Sequence, residues 1–279
     1  MRSRTTAFLL VFSLLVLSPT SALAASSAPT ARYFMTTNRS FWRNAMNARH
    51  VFPEGFTADL SDLQLRIAKL AGLKPVAVKK FYILADPAES VSPTPQTTPS
   101  QSVAWGVQVM LGDAASRPLQ GGVGVSIALI DTGIDRSHPD LSSRVDGCFD
   151  LVDSAKGFVD GSCSDQNGHG THMAGILVAD GGPDGSGMYG FAPRASISAY
   201  RVCGALGSCL SDDIAVAIQH AVDAGSQIIV LGMGGEAQSS VIHDALAYAA
   251  EHDVLVVAAA GNDGPYEDSM DWPARDPLT

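Results

Sequence analysis

The 279 residues are 46% hydrophobic and 16% charged, with 27 glycines and 15 prolines, a balance that supports a large buried core and excludes a chain disordered throughout. The formal net charge of -10 argues against nucleic acid or an anionic membrane as partner, because both are gripped through basic surface.

In chain order, residues 1–24 come first, with Arg2 and Arg4, an apolar run from Ala7 to Leu17, and the ending Ala22-Leu23-Ala24. This is the pattern of a secretory signal peptide, with cleavage expected after Ala24. The run is too short to span a bilayer as a mature helix, and no later segment is long enough to act as a membrane anchor.

Residues 30–86 read as a small α+β unit. Arg49–Phe52 and Gly55–Ala58 are expected strands, Ser61–Gly72 is a capped amphipathic helix ending in glycine, and Val76–Ile83 supplies one further strand. Residues 87–100, rich in Pro, Ser and Thr, cannot bury enough apolar surface to fold and form a linker.

From residue 101 onward, strands and helices alternate. Expected strands are Ser126–Asp131, Ser196–Arg201, Gln227–Leu231 and Val254–Ala260. Thr171–Ala179, a stretch opening at Ser211 and ending at Gly225, and Val241–Glu251 are expected helices, with Ser211 as N-cap and Asp212 and Asp213 favouring the helix start. Alternation of this kind predicts an α/β fold, a doubly wound parallel sheet covered on both faces. Its cleft lies at the carboxyl ends of the strands, where Asp131 and Asn262 emerge. The run Gly121-Gly122-Val123-Gly124 precedes a strand instead of following one, so it is not a dinucleotide loop.

His169 stands between Gly168 and Gly170, so that backbone can pass close on both sides, and the small apolar run beyond it places the imidazole at the mouth of a helix. His172 lies three residues further on, but no Glu separates the two as a zinc-binding helix would require. The four cysteines, Cys148, Cys163, Cys203 and Cys209, allow three pairings. The local pairs Cys148 with Cys163 and Cys203 with Cys209 each close a small loop and are preferred, as expected for an exported protein.

Asp131-Thr132-Gly133, His169-Gly170-Thr171-His172 and Gly261-Asn262 together resemble the signatures of the subtilisin-like serine proteases, the subtilases, over a stretch from about Gln101 to the last residue. The resemblance implies that Asp131 orients the imidazole, His169 is the general base, and Asn262 donates to the oxyanion formed when a serine hydroxyl attacks a peptide carbonyl. It maps substrate-pairing strands onto Gly207-Ser208-Cys209 and Gly232-Met233-Gly234, with Gly232 where subtilases usually carry Ser. It implies a structural Ca²⁺ held by Gln101, Asp140 and part of Asp180–Gly187. It also makes residues 30–86 an inhibitory propeptide acting in cis, with polypeptides as substrates.

The family's Gly-Thr-Ser-Met-Ala segment, which carries the nucleophile, occurs nowhere in the 279 residues. The expectation is therefore a C-terminally truncated secreted serine endopeptidase, residues 101–279 being the N-terminal two-thirds of the catalytic domain, inactive alone. The alternative is a catalytically inactive truncated subtilase acting as a binding or inhibitory module. An aspartic protease would need a second Asp-Thr-Gly or an Asp-Ser-Gly, and neither is present.

Overall fold

A computed structural model describes residues 30–83, 102–103, 105–111, 121–152, 157–264 and 266–279. The signal-peptide stretch, the linker and Gln101 fall outside the described residues. No helix among the described residues is long and apolar enough to cross a membrane.

The N-terminal block is a four-stranded antiparallel sheet with two helices. Its strands are β1 (Ala31–Met35), β2 (His50–Phe52), β3 (Gly55–Leu60) and β4 (Val76–Ala77), in the order β2-β3-β1-β4. Helix α1 (Ser40–Ala45) follows β1, and α2 (Asp62–Leu70) follows β3. Met35, Phe56, Ala58, Leu60 and Ala68 form its core. Ser61 and Gln64 close a reciprocal capping box at the start of α2, worth about 1 kcal/mol.

Val76–Ile83 is not one strand, as its sequence predicts, but two strands in two sheets. Val78 still donates to Arg32 O at 3.0 Å, whereas the carbonyl of Lys79 already accepts from Ser211 N at 3.0 Å. The chain therefore leaves the small sheet at that point, and β5 (Lys80–Ile83) buries Phe81 elsewhere.

Past the short strand β6 (Ser102–Val103) and helix α3 (Trp105–Leu111), the main sheet contains β7 (Ser126–Asp131), β8 (Val145–Asp150), β9 (Val159–Asp160), β11 (Ser196–Arg201), β13 (Ile228–Leu231) and β15 (Leu255–Ala258). Their order is β15-β13-β7-β11-β8-β9. All neighbours run parallel except the edge pair β8 and β9, which is antiparallel. The short strand β10 (Met188–Tyr189) pairs with β6.

Helices α4 (His169–Val178), α5 (Ser211–Asp223) and α6 (Ser240–Glu251) cover the sheet. Alternate residues of β7 feed the two faces: Ile127 and Leu129 pack with Ala174 and Val178 of α4, while Ala128 and Ile130 join Ile214, Ile218, Ile242 and Leu246 of α5 and α6. A strand buried on both faces must be apolar throughout, which is why Ser126–Asp131 reads as a continuous hydrophobic run. Each fully buried Ile or Leu there contributes about 2 kcal/mol.

The start of α5 departs from its sequence reading. Leu210 is the N-cap residue and no side chain caps the helix, while Ser211 is buried as the first helical residue. Asp212 and Asp213 supply negative charge to the first turn, complementing the helix dipole. Both local disulfides, Cys148–Cys163 and Cys203–Cys209, are formed.

Candidate active site

Asp131 ends β7, the central buried strand, and is fully shielded from solvent. His169 is the first residue of α4, and its Nδ1 lies 2.8 Å from Asp131 Oδ1 and 3.0 Å from Oδ2. Two segments 38 residues apart thus meet as a carboxylate and an imidazole at the carboxyl edge of a parallel sheet.

The glycines around the histidine make this approach possible. Gly168 caps the helix at φ 102°, a backbone state that costs glycine little and other residues more. Gly170 lies so close to the Gly133 carbonyl oxygen that a Cβ would overlap it. Gly232, immediately past β13, likewise abuts Asp131 Oδ2, and a Cβ there would come within 3.2 Å of His169 Cε1.

A carboxylate that sequence reasoning missed organises the helix start. Asp165 Oδ1 accepts from Thr132 Oγ1 at 2.9 Å, Gly168 N at 2.8 Å and Asn167 N at 3.0 Å. Its Oδ2 accepts from Thr171 Oγ1 at 2.6 Å and Thr171 N at 2.9 Å. Thr132 Oγ1 also accepts from Gly170 N at 2.9 Å, so Asp165 braces the residue after Asp131 and both neighbours of His169. Burial pushes the Asp165 carboxyl up, but the bonds from Thr171, Gly168 and Asn167 outweigh it and hold it below the usual carboxylate range. The signal available in sequence is an acidic residue just before a helix that lacks a Ser or Thr cap.

The hydrogen bond from Asp131 raises the His169 imidazole above its ordinary value; partial burial opposes this, and the charges of Asp131 and Asp165 add to it. The pair is therefore poised to accept a proton at Nε2 while Nδ1 stays bonded to the carboxylate. His172 is exposed on the next turn. Asn262 lies on the exposed loop beyond β15, at the same sheet edge as Asp131.

Beside this pair lies a groove that holds a strand of the chain itself. Strands β12 (Ser208–Leu210) and β14 (Met233–Gly234) flank β5 antiparallel, in the order β12-β5-β14. Ser208 faces Tyr82, Cys209 faces Phe81, and Met233 faces Ile83. Ile83 N donates to Gly207 O at 3.0 Å. Because Ile83 sits opposite Met233, the residue after Gly232, β5 leads toward the carboxylate–imidazole pair. Phe81 is 1% exposed, with the Gly235 backbone beneath its ring.

The N-terminal block meets α5 through buried charge. Arg32 Nη1 lies 2.7 Å from Asp213 and 3.4 Å from Asp212, His50 Nε2 lies 2.6 Å from Asp213, and Thr57 donates to Asp212 at 2.8 Å. His50, Asp212 and Asp213 bring ligand atoms within 4.8 Å of one another, as a metal site would. The Arg32 guanidinium already supplies the positive charge between the two carboxylates, and a cation there would be repelled by it.

The suggested cation site divides. Asp140 is buried, its Oδ2 accepts from Met188 N at 2.8 Å, and Gly182 and Gly187 close around Oδ1. Its Oδ1 is the hard donor type that Ca²⁺ takes, one of the about six to eight oxygens such an ion needs. Asp180 does not fit the set, because its carboxylate is taken by Arg144 at 3.0 Å, by Ser143 Oγ and by Gly182 N at 3.1 Å.

Residues 122–277, more than half of the chain, match the subtilase family. A protein described as "Subtilisin" from Bacillus sp. (strain TA39) is 38% identical over 228 residues, covering 79% of this chain and 53% of its own length. "Thermitase" from Thermoactinomyces vulgaris is 42% identical over 143 residues, 51% of this chain and 49% of its own. Among solved structures, "S41 Psychrophilic Protease" superposes with a TM-score of 0.59 at 43% identity, covering 63% of this chain and 58% of its own. "Sphericase" gives 0.57 at 41% identity, covering 65% and 58%. The chain spans about half the length of the curated relatives it matches.

Proposed function

The chain belongs to the subtilase family, and from that premise we propose that it belongs to a secreted serine endopeptidase, in which His169 is the general base and Asp131 its orienting carboxylate. The observation that carries the proposal is the 2.8 Å contact between His169 Nδ1 and Asp131 Oδ1 at the end of a groove occupied by an extended strand.

The nucleophile that this pair serves is a serine hydroxyl, carried in the family by a segment that the 279 residues do not contain. His169 Nε2 takes the serine proton as the hydroxyl attacks the scissile carbonyl, and later returns it to the leaving amine. Asp131 stays ionised, fixing the tautomer and stabilising the imidazolium. Asn262 donates to the oxyanion that develops on the carbonyl oxygen.

A polypeptide substrate occupies the place of β5. It adds as an antiparallel strand between Gly207–Cys209 and Gly232–Gly234, held by main-chain hydrogen bonds, with side-chain pockets reading alternate residues. Residues 30–86 act as the inhibitory propeptide, with β5 filling the groove in cis. The chain is exported by residues 1–24. Asp140, together with Gln101, would hold a structural Ca²⁺, which would supply stability and no part of the chemistry.

The test is casein hydrolysis and fluorophosphonate labelling of the product of the complete reading frame. Turnover and labelling are expected, with His169→Ala lowering kcat by about 10⁴-fold or more. Turnover unaffected by His169→Ala would sink the reading.

A further inference from the structure

We propose that the Cys203–Cys209 disulfide is a positioning element of the peptide groove, a covalent clasp that holds the β12 wall ready for an added strand. The proposal rests on the reading of β12 and β14 as substrate-pairing strands and assigns a role within that groove.

The two groove walls are anchored differently. β14 follows directly from β13, a parallel strand inside the main sheet, so its position is fixed by the core. β12 has only three residues and belongs to no sheet except the one it makes with β5 and β14. β12 runs directly into α5 at Ser211, which anchors its far end; when the strand in the groove is absent its start has no sheet partner, and a three-residue strand has too few hydrogen bonds to hold itself.

The disulfide supplies what the sheet does not. Cys203 and Cys209 face each other as an isolated antiparallel bridge, and the six-residue separation closes a loop whose interior bonds are Gly204 N to Ser208 O at 2.9 Å and Gly207 N to Gly204 O at 2.8 Å. Both cysteines are fully buried in the larger core cluster, which also contains Phe81 and Met233, while Leu206 at the loop tip is 96% exposed. The clasp thus grips the base of a loop whose tip is free in solvent.

The same loop is tied to both members of the acid–base pair. Val202 N and Cys203 N donate to the Asp131 carbonyl at 2.9 and 3.2 Å. Asn167 Nδ2 donates to Ala205 O at 2.9 Å, and Asn167 Oδ1 accepts from His169 N at 3.2 Å. Closing the loop therefore sets the distance between the β12 wall and the reacting pair. Fixing the wall before a peptide arrives removes the ordering cost from binding, so the clasp acts on substrate affinity more than on the bond-breaking step.

The experiment compares the chain with its Cys203→Ala/Cys209→Ala variant by hydrogen exchange resolved to peptides. Exchange of residues 80–83 and 204–210 is expected to speed up about tenfold while residues 126–131 of β7 hold their protection, since the loss is local to the groove. Unchanged exchange at 80–83, or equal loss across β7, overturns the proposal; the second result makes the disulfide a general stabiliser. A second arm measures hydrolysis of a peptide substrate by the product of the complete reading frame. There the variant is expected to raise KM about tenfold with kcat within about twofold, and a fall in kcat at constant KM overturns the proposal. Absence of any turnover in the parent counts against the endopeptidase reading, and the exchange comparison still decides on the clasp.

Discussion

The Arg32 guanidinium on β1 and the Asp213 carboxylate on α5 lie 2.7 Å apart, with side chains only 9% and 3% exposed. They join two units beside an apolar contact, since Phe52 of β2 and Phe34 of β1 pack against the core that contains Ile214 and Ile218 of α5. Burial and the neighbouring Asp213 push the Asp212 carboxyl up; for Asp213, burial acts in the same direction but the hydrogen bond from His50 and the charge of Arg32 hold it down.

Removing one partner of such a cluster leaves its counter-charge buried and uncompensated. Arg32→Ala or Asp213→Asn is expected to weaken the attachment of the N-terminal block by about 3 kcal/mol. Hydrogen exchange of β1 residues reads this as a lowered opening free energy. The double change Arg32→Ala/Asp213→Asn is expected to cost less than the sum of the two single losses, because the two groups contact each other directly. A single-variant loss below about 1 kcal/mol would mean the junction rests on something other than this pair.

The histidine at the cleft titrates in a defined direction. Asp131 raises His169 above the ordinary value of 6.5, so the charged imidazole is favoured in the folded chain. The stability this contributes is complete below pH about 6.5 and is lost as pH rises through the folded value. NMR titration of the imidazole is expected to show a midpoint above 6.5 that falls in Asp131→Asn. Since a general base must be neutral, the acid limb of kcat/KM should follow the same midpoint. A midpoint unmoved by Asp131→Asn would separate the two groups in function despite their contact.

Gly170 tests how closely the segments carrying Asp131 and His169 must approach. A Cβ at this position would overlap the Gly133 carbonyl, and that backbone cannot retreat without dragging Asp131 along. Gly170→Ala is expected to cost about 2–3 kcal/mol in a denaturant titration, as overpacked sites do, and to lengthen the Asp131–His169 contact. Full stability in this variant would show that the loop after β7 is more yielding than its packing suggests.

Much of this arrangement was legible in sequence, because it follows from periodicity and from glycine placement. The run ending at Asp131 is apolar without alternation since β7 is buried on both faces, and Gly-His-Gly anticipates a close backbone crossing. Two kinds of feature were not legible. Asp165 exerts its effect through five hydrogen bonds, two of them from side chains and three from backbone amides, and only the folded loop defines which donors it meets. The division of Val76–Ile83 between two sheets is decided by partners more than a hundred residues away, at Ser208–Leu210 and Met233–Gly234. Local pattern detects a strand but carries no record of which sheet receives it. The same limit applies to Ser211, which is buried as the first helical residue with its amide donating to Lys79 O, a partner 132 residues back that the local pattern does not reveal.

Metal removal tests the role proposed for Asp140. Its buried carboxylate presents Oδ1 to a glycine-lined loop, and a bound Ca²⁺ would offset the cost of enclosing that charge. A ligand that binds only the folded state stabilises it by about 2.7 kcal/mol at a hundred times its Kd, so a chelator is expected to lower Tm by several degrees. Asp140→Asn keeps an oxygen to accept from Met188 N while removing the charge, and should melt at one temperature with or without chelator. Equal Tm for the unmodified chain in calcium and in chelator would remove Asp140 from any cation site and leave it as the acceptor that ties β10 to the main domain.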